Sequence, residues 1–84
     1  MGPSLSETEA ARLQILENCL PAMAAEDQKT MLEAELYPRV YQVVNPKRHA
    51  YRINLLLIDN DNNLVLEMLR NFNFLKKKVG SYEF

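Results

Sequence analysis

The sequence predicts an all-α domain of about five short helices with short connections, stacked right-handedly or as a small orthogonal array. Three observations carry this. Glycine occurs only at Gly2 and Gly80, too sparse for a multi-strand protein whose tight hairpins depend on glycine. Helix formers dominate from Ser6 onward, and apolar residues recur at spacings of three and four rather than two. Prolines and an Asp/Asn run fall between the periodic segments, where helix stops and caps belong. Residues 6–84 read as a single domain, and residues 1–5, MGPSL, as a tag or linker outside the fold.

The first segment is SETEAARLQILENCL. Ser6 and Glu9 have the three-residue spacing of a capping box, in which each side chain satisfies an orphan N–H at the other's position. Ala10, Leu13, Leu16 and Leu20 then form one helical stripe, and Pro21 stops the helix. The second, AAEDQKTMLEAELYPRVYQVVN, is the longest pattern. Leu32, Leu36, Val40 and Val43 share a face, and Glu26 and Asp27 suit the positive end of the helix dipole. Pro38 sits inside the pattern at a cost of about 3 kcal/mol, so the expectation is one kinked helix ending near Val44. NPKRHA turns the chain, with Pro46 as breaker.

YRINLLLIDNDNNLVLEMLR could be a β-hairpin, a calcium loop between helices, or a tight turn between two helices. INLLLI does not alternate, and a central strand would need strand neighbours that no other segment offers. A short, nearly fully buried helix fits it better. Asp61, Asn62 or Asn63 can then cap a following helix marked by Val65, Met68, Leu69 and Phe72. The last helix, NFNFLKKKVGSYEF, has Asn73 as its expected cap and Leu75, Val79 and Tyr82 on one face.

Composition excludes several function classes. The 84 residues carry a net charge of −1, so no strong field draws nucleic acid or acidic membranes. A core of this size is marginal, which commits most apolar side chains to packing. No apolar run nears the ~20 residues needed to span a bilayer, and there is no signal-peptide pattern. The single cysteine, Cys19, excludes an internal disulfide framework and a zinc cluster and suits a reducing compartment.

The candidate chemistry is thin. Asp59, Asp61 and Asn63 match positions 1, 3 and 5 of a calcium loop. Leu64 stands where its glycine belongs, however, and Arg70 where its bidentate glutamate belongs. Capping explains the run better, and no metal or other cofactor is expected. His49 lies in a turn and Cys19 in a last helical turn, read as core or spacer, so a Cys–His pair is weakly supported and no enzyme is expected. Lys76 to Lys78 have aromatics nearby (Tyr51, Phe72, Phe74, Tyr82), but they sit where cations meet the negative end of a helix dipole. Direct nucleic-acid binding by this domain is therefore disfavoured. What remains is a helical surface that accepts peptides through apolar anchors.

The chain resembles the MLLE (PABC) domain family. This family is found at the C-termini of cytoplasmic poly(A)-binding proteins, in a HECT-type ubiquitin ligase, and in fungal RNA-binding proteins carried on endosomes. RINLLLID and NDNNLVLEML fall without a gap on the family's KITGMLLE and IDNSELLHML. EDQKTMLEAELYP resembles EQKQMLGERLFP, mid-helix proline included, and FLKKKV resembles SLRSKV. The resemblance runs from about Cys19 to Tyr82.

It implies a five-helix right-handed superhelical stack that is not catalytic. Such a domain binds short linear motifs of the poly(A)-binding-protein-interacting type in disordered regions of partners. The implied setting is mRNA metabolism or transport in the cytoplasm, with endosomes reached through partners, and a monomer without direct membrane contact. By the same resemblance, a phenylalanine anchor would meet Thr30, Glu33, Ala34 and Tyr37, faced by Arg52, Asn54 and Leu55. A leucine anchor would meet Leu56, Leu57, Asp59 and Lys78. Glu33 and Leu55 replace family glycines, and Ala34 replaces a glutamate. A late histidine of the family would lie beyond Phe84. These departures imply weakened or altered specificity. The alternative is an accessory or structural domain contacting a neighbouring domain or RNA, suggested by the long N-terminal helix and the lysine run.

Overall fold

The computed structural model describes residues 7–82. The Ser6 half of the expected capping box, the segment 1–5 and Phe84 lie outside them. Five helices follow in order: α1 Glu7–Cys19, α2 Ala25–Val43, α3 Ala50–Ile58, α4 Asn62–Arg70 and α5 Phe72–Gly80. Single 3₁₀ turns lie at Leu20–Ala22 and Lys47–His49, and no strand occurs among the described residues. The molecule is a slab with principal extents of 37, 33 and 17 Å.

α2 is the hub, packing on α3, α4 and α5. Leu32, Leu36 and Val40, spaced by four, lose all exposure along its inner face. Each such side chain contributes roughly 1.5–3 kcal/mol by burial. That offsets the cost of Pro38, through which the helix continues. Pro38 has no N–H, so the Ala34 carbonyl lacks its helical donor. One residue on, the Arg39 guanidinium lies along the helix: Nη1 donates to the Glu35 carbonyl at 2.8 Å. Arg39 also pairs with the carboxylates of Glu35 and Glu9.

α1 buries Leu13 and Leu16, and the following turn buries Leu20. Ala10 is exposed, so the apolar stripe is narrower than the sequence suggested, and Cys19 is exposed rather than core. The turn is held by Gln28, whose Nε2 donates to the Leu20 and Met23 carbonyls at 2.8 and 3.0 Å. Arg70 ties α1 to α4 by donating through Nε to Glu17 Oε1 at 2.9 Å. That hydrogen bond is the main reason its guanidinium pKa lies above the ordinary value. Arg70 therefore stays charged at any pH of interest.

α3 departs from expectation. Ala50, Ile53, Asn54, Leu57 and Ile58 are buried, but Tyr51, Leu55 and Leu56 are 61, 42 and 40 % exposed. Successive helical residues are ~100° apart, so four consecutive apolar residues sweep most of the helix circumference. In a slab this thin, one side of that sweep faces out, and it carries Leu55 and Leu56.

Asp61 is the cap of α4: its Oδ1 accepts from the Asn63 N–H at 2.7 Å. The Asp/Asn run is thus explained by helix geometry, as its capping reading predicts. The cap of α5 needs correction. Asn71, not Asn73, accepts the Phe74 N–H at 3.1 Å, and Phe72 opens α5 instead of closing α4. Asn71 has extended backbone angles, φ −127° and ψ 104°, as a residue between two helices must. Asn73 is already inside the first turn and cannot cap. Leu75 and Val79 are buried, and Tyr82 packs against the core.

Candidate functional site

The groove between α2 and α3 follows from two helical stripes. On α2, Thr30, Glu33, Ala34, Tyr37 and Pro38 stand at i, i+3, i+4, i+7 and i+8, one face of a 3.6-residue repeat. On α3, Tyr51 and Asn54 stand three apart on the facing side. These seven residues line an open cavity of about 410 Å³. Its walls are aromatic and aliphatic: Tyr37 is 37 % and Tyr51 61 % exposed. Tyr37 also packs edge-tilted on Tyr41, ring centroids 6.2 Å apart, which fixes one wall.

Among the described residues, Asn54 is the one polar residue buried completely. Its Nδ2 donates to the Glu33 carbonyl at 3.2 Å, joining α3 to α2 at the cavity. Its Oδ1 is buried without a partner.

Of the seven residues expected around an aromatic anchor, the structure gathers five here: Thr30, Glu33, Ala34, Tyr37 and Asn54. Arg52 and Leu55 do not line the cavity. Arg52 is one helical step past Tyr51 and Leu55 one past Asn54, and both are exposed. Pro38 and Tyr51 do line it, although sequence reasoning passed over both. Periodicity could have found them, since Pro38 completes the α2 stripe and Tyr51 precedes Asn54 by one turn.

The residues expected for a leucine anchor are dispersed in exposure. Leu56 and Asp59 are exposed and Lys78 half-buried, with its Nζ 5.6 Å from the Phe74 ring centroid. Leu57 has no exposed surface. It cannot touch a ligand and can only support that face from within the core. Among the described residues, no group of three or more His, Cys, Asp or Glu side chains is placed to hold a metal ion.

A small helical stack with an open, aromatic-walled cavity between two of its helices defines an interaction module. The MLLE domain family model matches residues 19–81, and the chain belongs to that family. No curated protein and no solved structure matches the chain. MLLE domains are non-enzymatic protein-interaction modules that bind short peptide motifs of partner proteins. The matched segment leaves out nearly all of α1, although Leu13 and Leu16 belong to the same core as α2 to α5.

Proposed function

We propose that this domain is a non-catalytic adaptor of an RNA-binding protein in mRNA metabolism or transport. It captures short linear motifs in disordered regions of partner proteins. The motif lies across α2 and α3, with an aromatic anchor in the cavity between Tyr37 and Tyr51. A leucine anchor sits near Leu56, Asp59 and Lys78. The observation that carries this reading is the cavity itself: it is open, apolar-walled and lined by five of the seven residues that the family resemblance implies for an aromatic anchor. A buried aromatic side chain is the usual source of affinity in such a groove. Glu33 and Ala34 change the chemistry of the α2 wall, so specificity is altered from the family's ordinary motif. The RNA-binding and cytoplasmic setting, with endosomes reached through partners, rests on the family's known company. The domain acts as a monomer.

Calorimetric titration of the domain with a short peptide carrying leucine and aromatic anchors tests this. The expected result is micromolar binding, weakened about tenfold or more by Tyr37→Ala. Failure of the peptide and its anchor variants to bind would remove the peptide-receptor reading.

A second reading, an accessory domain docked on a neighbouring one, draws on a different face. Ile15 is 62 % exposed and lines a shallow cavity of about 220 Å³ with Cys19 and Met31, between α1 and α2. Its α1 residues up to Leu16 lie outside the family match, whereas Cys19 and Met31 lie within it.

A further inference from the structure

The α2–α3 groove has two electrically different ends. Three contacts show that α3 runs antiparallel to α2. Lys29 Nζ donates to the Ile58 carbonyl at 2.7 Å, Asn54 Nδ2 to the Glu33 carbonyl at 3.2 Å, and Lys47 Nζ to the Tyr41 carbonyl. Leu56 and Asp59 therefore lie toward the Lys29 end of the groove, and the Lys47–His49 turn lies at the Tyr41 end. From Leu36 to Ile58 the chain carries no Asp or Glu, against Arg39, Lys47, Arg48 and Arg52. Two of these cations are committed. Arg39 pairs with Glu9 and Glu35, and Lys47 also lies over the Tyr41 ring, 5.2 Å from its centroid.

Arg48 and Arg52 are not committed. Both are exposed, and among the described residues the ion pairs fall to Arg12, Arg39 and Arg70. The 3₁₀ turn runs into α3 without a break, since Ala50 has helical angles, φ −58° and ψ −46°. Arg48 is thus one turn before both Tyr51 and Arg52, at the i,i+3 and i,i+4 spacings that make helical side chains neighbours. The two guanidinium groups repel each other beside the aromatic wall that Tyr51 gives the cavity. An anion at that point relieves the repulsion and gains charge-assisted hydrogen bonds.

We propose that Arg48 and Arg52 read carboxylates immediately beyond the aromatic anchor, on the side away from the leucine anchor. The partner motif is then leucine, aromatic and acidic, in that spatial order along the groove. An extended chain advances about 3.3 Å per residue, so the first few residues past the anchor pass both arginines. RNA, the other polymer that an exposed Tyr–Arg surface could attract, fits less well. Glu33 in the cavity wall and the exposed Asp59 set negative charge along the rest of the groove. A peptide with acid on one side only avoids them, whereas a uniform polyanion does not. This inference rests on the reading of the α2–α3 cavity as the anchor pocket of a peptide-binding domain.

The test extends the leucine and aromatic peptide past its aromatic anchor by a Glu, Gln or Lys triplet and titrates each form against the intact domain. At low salt the Glu form should bind about fivefold tighter than the Gln form, and the Lys form weaker than either. Salt at about 1 M should erase the differences. Arg48→Gln combined with Arg52→Gln, both at exposed positions, should bring the Glu and Gln forms to the same affinity. Should that variant not fold, the Glu and Gln forms compared across salt on the native domain decide alone. A Glu triplet moved to the leucine side of the aromatic residue should give no gain. Equal affinity of the Glu and Gln forms, or a gain that survives in the double variant, would overturn this inference while leaving the peptide-binding function intact. If the gain is absent and a single-stranded RNA binds the native domain but not the double variant, the arginines serve nucleic acid and the inference falls. Binding of none of the peptides would overturn both this inference and the peptide-receptor reading.

Discussion

Glu33 and Leu55, which the resemblance sets against family glycines, sit in different places. Glu33 lines the cavity and is half-buried, whereas Leu55 points to solvent at 42 % exposure. Blockage of the pocket by a larger side chain is thus a property of one position, not two. Glu33→Ala should strengthen binding of a phenylalanine-anchored peptide several-fold, because it removes bulk and a desolvated carboxylate. Leu55→Ala should leave that affinity within about twofold. Calorimetry on the two single variants separates them, and alanine avoids the helix cost of about 1 kcal/mol that glycine would add. A gain from Leu55→Ala alone would mean that the α3 face closes on the peptide in a way the free domain does not display. The same residue-level contrast explains Asn54. Its polarity was legible in the sequence, but its complete burial and its orphaned oxygen depend on how close α3 comes to α2.

At the scale of elements, the domain is held at its helix ends by polar ties across sequence-distant segments. Lys29 Nζ donates to the carbonyls of Ile58 and Asn60 at 2.7 and 2.6 Å, closing the C-terminus of α3 from α2. Asn62 Nδ2 reaches Gln28 Oε1 at 2.8 Å and so fastens the start of α4 to the same helix. Both ties lie beneath the α3–α4 turn and keep α3 in register against the groove. Lys29→Met should cost roughly 1–3 kcal/mol, since it leaves two helix-end carbonyls without their charged donor. Urea denaturation would measure the loss. No change in the midpoint would show that water replaces the lysine without penalty. Exposed pairs such as Arg70 with Glu17 are a weaker class, of order 0–1 kcal/mol each.

Across the whole molecule, the five helices were legible because glycine scarcity, periodic Leu and Val positions and well-placed prolines all point the same way. A cap before the α4 repeat was readable as Asp61, Asn62 or Asn63, and the structure selects Asp61. Asn71 was missed because NFNF offers two asparagines, and only the backbone turn between α4 and α5 separates them. The α2 half of the cavity was reached through the family resemblance, which named Thr30, Glu33, Ala34 and Tyr37 but not Pro38. The α3 half was not legible, since a run of apolar residues carries no phase: Tyr51, Leu55 and Leu56 could each have faced in or out until α3 was docked. Leu57 was placed near a ligand by its position in the motif, whereas packing encloses it in the core. The slab shape explains why so few residues are wholly buried and why the groove between two helices stays open.

The most direct measurement is a chemical-shift map of the ¹⁵N-labelled domain during titration with the peptide that carries leucine and aromatic anchors. The account predicts that the largest perturbations fall on Thr30, Glu33, Ala34, Tyr37 and Tyr51, with the Asn54 side-chain amide shifting among them. Perturbations centred instead on Ile15, Cys19 and Met31, with the α2–α3 groove silent, would contradict it.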